Sequence, residues 1–247
     1  ARLAIENQPV SLWQERVLRE EDQRALIHAS IALCRHGDPS LSHRILKKLN
    51  QIPFDSLAAE DQLALLRAYS LCFIRLGQPA AELINVVIGN LDPFFPTGDE
   101  QVNTELCRVL SYLDAPQVVK KTISLMKITE TRTLDYDKEM LSRHEYGKEI
   151  LKTMANTPNS QNIQYAYSLR RVRNGWTLSD RKYFFSWMNE TLRKSGGKSF
   201  AGYMRAIRED AIQHLSPEVA TSVSWLLGDI EGVDLSQLPT PKGPSVA

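Results

Sequence analysis

The sequence predicts an all-α chain, a HEAT-like α-solenoid of stacked antiparallel helix pairs. Three observations carry this expectation. Apolar residues recur at three- and four-residue spacing through most of the chain, with almost no β-branched alternation of the kind a strand would show. A short turn recurs as Gly37-Asp38-Pro39, Gly77-Gln78-Pro79 and Asp114-Ala115-Pro116, its prolines 40 and then 37 residues apart. Each turn lies between two helix-like segments. Helix pairs at a period of about 40 residues are the mark of HEAT-like solenoids, in which one pair cannot bury its apolar face alone and neighbours must stack.

In chain order, Ser11 to Arg19 reads as the second helix of a broken repeat, with Trp13 stacking on the next helix pair. A chain starting mid-repeat implies a longer parent protein, because terminal repeats normally carry a polar outer face. The first full copy, about residues 21–53, has Leu26, Ile27, Ser30, Ile31, Leu33 and Cys34 on one face. Gly37 is expected to end that helix as a left-handed cap, and Pro39 to prevent its continuation. Leu41, Ile45, Leu46 and Leu49 mark the partner helix.

The second copy, residues 54–97, has Leu63, Leu66, Tyr69, Phe73 and Ile74, then Leu83, Val87, Ile88 and Leu91. The third, residues 98–128, has Val102, Leu106, Val109, Leu110 and Leu113, then Val119, Ile123 and Met126. The connectors around Pro53 and from Asp92 to Pro96 are too short to join independent domains. Residues 1–231 therefore read as one continuous helical domain.

A polar loop is expected from Thr129 to Asp137, followed by divergent helices over residues 138–229. One of these ends at Asn174-Gly175. The next starts at Thr177, whose spacing to Asp180 fits a capping box, and carries Tyr183, Phe184, Trp187, Met188 and Thr191. Ser195-Gly196-Gly197 ends it, and Phe200, Met204, Ile207 and Ala211 mark another. Ser216-Pro217 starts a last helix bearing Val219, Val223, Trp225 and Leu226. Residues 232–247, rich in Pro, Gly and Ser, read as a tail or linker.

Composition excludes several functional classes. With 43% hydrophobic and 24% charged residues and a net charge of +1, the chain can bury a core and is neither disordered nor supercharged. No apolar run is long enough to span a bilayer, and the first residues lack the layout of a secretory signal. Cys34, Cys72 and Cys107 each sit in a helical apolar pattern, which predicts buried thiols; an odd count argues against a disulfide framework.

Motif fragments fail on their missing members. Gly196-Gly197-Lys198-Ser199 resembles the end of a phosphate loop, but Leu192 stands where its first glycine belongs and a helix precedes it. His144-Glu145 begins a zinc-helix motif that Lys148 breaks. Asp135, Asp137 and Glu139 alternate like a calcium loop whose required glycine is Met140. No C-x-x-C-H is present to attach a haem. No catalytic residue, metal ligand or cofactor is therefore assigned to this segment.

Residues 160–215 hold ten Lys/Arg against four acids, with aromatic residues interleaved. Such a mixture can meet phosphates and stack on bases. Arg170, Arg171, Arg173, Arg181, Lys182, Lys194 and Lys198 form the candidate binding surface, set against the plainer reading of these cations as the solvated faces of amphipathic helices.

The run from Tyr165 through Leu169-Arg170, Gly175-Trp176-Thr177, Arg181, Tyr183-Phe184, Trp187, Gly196-Gly197, Ser199-Phe200, Gly202, Ile207 and Asp210 resembles a segment of large bacterial proteins described as membrane-bound dehydrogenases or haem-binding, HEAT-repeat proteins. CFIRLG from Cys72 and ELCRVLSYLDAP from Glu105 are similar to the same proteins. The resemblance implies a helical middle segment between a propeller-like dehydrogenase domain and a c-type cytochrome domain, in the periplasm or at the cell surface. The expected role is a non-catalytic scaffold or docking module, partnered by other domains of the same polypeptide or by another protein, with any haem c in a neighbouring domain. The alternative is a nucleic-acid-binding helical-repeat protein that uses the basic region. A weaker third reading is a peptide groove on the concave solenoid face.

Overall fold

The computed structural model describes residues 2–132, 143, 145–148, 156–194 and 199–227. Every regular element among the described residues is helical, so the all-α prediction holds. None of these helices is long and apolar enough to cross a membrane. The chain gathers into two compact units, Ala1–Ala115 and Pro116–Ala247. The division falls in the Asp114-Ala115-Pro116 turn.

In the first unit the helices are α1 (Arg2–Glu6), α2 (Gln14–Leu18), α3 (Gln23–His36), α4 (Ser42–Leu49), α5 (Ala59–Leu76), α6 (Ala81–Leu91) and α7 (Glu100–Tyr112). Their packing follows two series. Odd-numbered helices meet in the order α1, α3, α5, α7, and even-numbered ones in the order α2, α4, α6. Helices α3 and α4 pack on each other, and α4 also meets α5.

The apolar stripe of α3 explains its place. All six of its marked residues are buried, as are Leu41, Ile45, Leu46 and Leu49 around α4. Asp22 caps α3 by accepting a hydrogen bond from the Ala25 amide at 2.7 Å. Trp13 is buried and donates its indole N–H to the Gln8 carbonyl at 3.2 Å. The sequence reading missed α1, which packs on α3.

Polar side chains tie neighbouring helices together. At the end of α4, Asn50 accepts from the Tyr69 hydroxyl of α5 at 2.7 Å through Oδ1, and from Asn90 Nδ2 of α6 at 3.0 Å through its carbonyl. Asn103 of α7 accepts from the Thr97 amide at 2.7 Å and returns a bond to its carbonyl at 2.9 Å, closing the connector in which the Phe95–Pro96 peptide is cis. Tyr69 is buried, and burial pushes its phenol far above the ordinary range, so it stays a donor. Tyr69→Phe is expected to cost about 1–2 kcal/mol, because it leaves the Asn50 oxygen unpaired; urea midpoints of the two proteins check this.

Four local expectations need correction. Gly37 is not left-handed: its backbone is extended at φ −78° and ψ 166°. Its role is close approach, since a Cβ there would stand 2.6 Å from the Leu33 carbonyl oxygen. Ile74, placed on the apolar face of α5, is 69% exposed. It lies two helical turns beyond exposed Arg67 and shares that stripe. The loop expected from Thr129 is helical as far as Arg132, in α8 (Val118–Arg132). There the Thr129 hydroxyl bonds back to the Leu125 carbonyl at 2.9 Å and does not compete with the helix.

The last predicted helix is in fact two, Pro217–Ser222 and Ser224–Leu227, and its Trp225 is 68% exposed. Val219, Val223 and Leu226 follow helical spacing, whereas Trp225 falls about 200° round from Val223. Among the described residues the second unit holds α8, α9 (Ser160–Leu169), α10 (Leu178–Leu192), α11 (Phe200–Gln213), α12 (Pro217–Ser222) and α13 (Ser224–Leu227). Helix α8 packs on α9 and α10, α11 packs on α9 and α10, and α13 packs on α10. Within residues 138–155, helical structure is described only for 145–148.

Candidate functional site

The basic region is built on α9, α10 and α11. Helix α9 starts at the cap Asn159, which accepts from the Asn162 amide at 3.0 Å. It ends at Leu169, five residues before the predicted Asn174-Gly175 stop. The chain turns there because the next two residues, both arginines, reach back to α11. Arg170 Nε and Arg171 Nε donate to the same oxygen, Asp210 Oδ2, at 2.8 and 2.7 Å. Arg170 also lies over the Tyr167 ring at 3.6 Å and donates to the Tyr167 carbonyl. Tyr167 in turn stacks on Tyr203 at 6.1 Å.

His214 completes the cluster, with Nδ1 3.5 Å from Asp210 Oδ1 and 2.7 Å from the Asp210 carbonyl oxygen. Burial by itself would raise the Asp210 pKa. The hydrogen bonds and charges of Arg171 and Arg170 outweigh it and hold the carboxyl below its ordinary value. A depressed folded-state pKa contributes stability that is complete above the unfolded value of about 3.9 and disappears as pH falls through the folded value. Asp210→Asn is expected to cost about 1.5–3 kcal/mol at pH 7 and to flatten the acid limb of the stability curve below about pH 4. Denaturation midpoints measured from pH 2 to 7 test both effects.

Helix α10 begins with the predicted capping box. The Asp180 amide donates to Thr177 Oγ1 at 3.1 Å, and the Thr177 amide donates to Asp180 Oδ2 at 3.2 Å. This places Arg181 one turn in, on the face that also carries buried Phe184, Phe185 and Met188. Arg181 is buried, with its guanidinium 3.9 Å over Trp176. Trp176 tilts against Phe184 at 5.1 Å and donates to the Val172 carbonyl at 2.8 Å. Burial lowers the Arg181 pKa to about 10, so the group remains a cation at neutral pH, and its Nη1 has no hydrogen-bond partner.

The seven candidate cations thus separate. Arg170 and Arg171 meet on one carboxylate, and Arg181 packs on an indole. Arg173 and Lys182 are exposed, and Lys194 is half-buried. Lys198 lies outside the described residues, as do Gly196, Gly197, His144, Asp135, Asp137 and Glu139. Among the described residues no group of three or more His, Cys, Asp and Glu side chains could hold a metal ion.

The sequence reading missed the importance of Arg208. Its side chain is buried in α11, and Nη2 donates to the carbonyls of Leu226 and Leu227, the last two residues of α13, at 3.0 and 2.9 Å. Asn189 of α10 donates to the same Leu226 carbonyl at 2.8 Å. The signal was register: Arg208 lies four residues after Met204 and three before Ala211, on the buried stripe. The arginines therefore anchor helix ends and loops, a structural chemistry with one cationic surplus at the Asp210 cluster when His214 is neutral.

Compared with models of known protein families, with curated proteins and with solved structures, the chain matches none.

Proposed function

We propose that the chain is a non-catalytic helical-repeat scaffold, a HEAT-like stack over Ala1–Ala115 followed in sequence by divergent helices, which holds other domains or proteins in place. One observation carries the reading: the helices of the first unit pack in two series, α1-α3-α5-α7 and α2-α4-α6. In such a stack each pair completes its core on its neighbours, leaving outer faces available to partners.

The fate of the cations supports this reading over nucleic-acid binding. Three of the seven candidates, Arg170, Arg171 and Arg181, are engaged by Asp210 and Trp176. A backbone-binding surface needs cations that can exchange counterions for phosphates. Retention of single- or double-stranded DNA or RNA on the purified chain at about 0.15 M salt is therefore expected to be absent. Salt-sensitive retention that disappears in an Arg173→Gln/Lys182→Gln double variant would favour the nucleic-acid reading.

The parent protein suggested by the resemblance is an exported redox protein with dehydrogenase and c-type cytochrome domains. A C-x-x-C-H encoded in the same polypeptide supports that placement. Sugar oxidation by the isolated chain with an artificial electron acceptor would contradict the scaffold role.

A further inference from the structure

We propose that Cys34 and Cys72 are a disulfide-forming pair, joined by exchange with a low-molecular-weight disulfide so that one covalent bond staples α3 to α5. The two cysteines lie on helices that pack directly on each other. The Cys34 thiol sits 3.9 Å from the Ala68 carbonyl oxygen of α5. That carbonyl is the one Cys72 reaches through its own helical amide bond, four residues on. Helical side chains lean back toward the N-terminus, so the Cys72 sulfur is carried over the same turn. Both thiols therefore face the α3–α5 contact, Cys34 over the Ala68 carbonyl and Cys72 against Ser42.

A third group makes the pair asymmetric. Ser42, at the start of α4, places its Oγ 3.6 Å from Cys72 Sγ. The neighbouring Cys34 and the Ser42 hydroxyl favour the Cys72 thiolate against the opposing effect of burial, while Cys72 and burial push Cys34 up. Cys72 is therefore the attacking sulfur.

The chemistry balances without any group outside the pair and the oxidant. Cys72 thiolate attacks one sulfur of the small disulfide, breaking its S–S bond and releasing one thiolate. Cys34 then loses its proton and attacks Cys72 Sγ, forming the Cys34–Cys72 bond and releasing the second thiolate. The two cysteines give up two electrons and two protons, and the oxidant becomes two thiols. Both sulfurs are buried, so exchange proceeds through local opening of the α3–α5 contact and takes minutes to hours.

The test uses the full chain and oxidised glutathione at pH 8 without denaturant. After denaturation and alkylation, the count of free thiols is expected to fall from the three of the reduced chain to one. The tryptic peptides 25–35 and 68–75 are expected to be joined, and the melting temperature to rise by about 5 °C or more. Cys34→Ser is expected to halt the sequence at a Cys72–glutathione mixed disulfide. Should that variant not fold, the peptide map of the unaltered chain still decides. Three free thiols after prolonged exposure, or a bridge that includes Cys107, overturns the proposal. So does a 34–72 bridge that forms only when denaturant is present.

Discussion

Gly175→Ala is expected to destabilise the chain by about 2–5 kcal/mol, among the largest effects of any single-atom addition to it. Gly175 has φ +76°, and a Cβ there would stand 2.4 Å from the Pro116 carbonyl oxygen. The left-handed backbone costs an L-residue about 1–2 kcal/mol. The rest comes from a clash with backbone, which cannot rotate aside as a side chain would. Gly77 provides the control. It has φ +92° but nothing within 4 Å of its missing Cβ, so Gly77→Ala is expected to cost only the conformational part. Urea denaturation of both variants separates clash from strain. Because Gly175 immediately precedes Trp176 and the Thr177 cap, hydrogen exchange in the first turn of α10 is expected to rise in the Gly175 variant alone.

Arg208→Ala is expected to cost about 3 kcal/mol and to loosen α13 specifically. The substitution removes a buried guanidinium that donates to two helix-end carbonyls, and Asn189 remains to serve only Leu226. Arg208→Met separates the contributions. Methionine refills the volume of the aliphatic stem, so its cost of about 1–2 kcal/mol reports the lost charged hydrogen bonds. The Arg208 Nε is buried without a hydrogen-bond partner, which offsets part of what Nη2 contributes. Guanidine melts give the totals, and amide exchange across residues 217–227 gives the location. Equal protection of that segment in all three proteins would show that Arg208 does not clamp it.

Much of the helical architecture was legible because apolar spacing states which side of a helix meets a core. Leu26 to Cys34, Leu41 to Leu49 and Val102 to Leu113 are buried where the pattern put them. The pattern failed where a hydrophobic residue was added to a stripe by type and not by angle, as with Ile74 and Trp225. Helix ends were harder. The Thr177-Asp180 box identifies itself by two side chains of the right length, whereas the stop at Leu169 depends on Asp210, 40 residues beyond Arg170 in sequence.

The basic region shows the same limit in electrostatic form. Charge counting can find a surplus of arginines between 160 and 215, but it cannot see a partner carboxylate or indole. Asp210 engages Arg170 and Arg171 and Trp176 engages Arg181, so part of the charge that reads as open surface in one dimension is anchorage in three, while Arg173 and Lys182 stay exposed. The packing of the Cys34 and Cys72 helices on each other was equally invisible, since no sequence spacing joins residues on different helix pairs.

Hydrogen exchange on a Leu46→Ala variant tests most directly whether successive pairs share one core. Leu46 is fully buried in α4, which packs on α2, α3, α5 and α6. The cavity is expected to cost about 2–5 kcal/mol. Protection should fall in α4 and in those neighbouring helices together. Loss confined to α4, with α5 and α6 exchanging as in the unaltered chain, would mean that the pairs fold independently, and the stacked scaffold would be wrong.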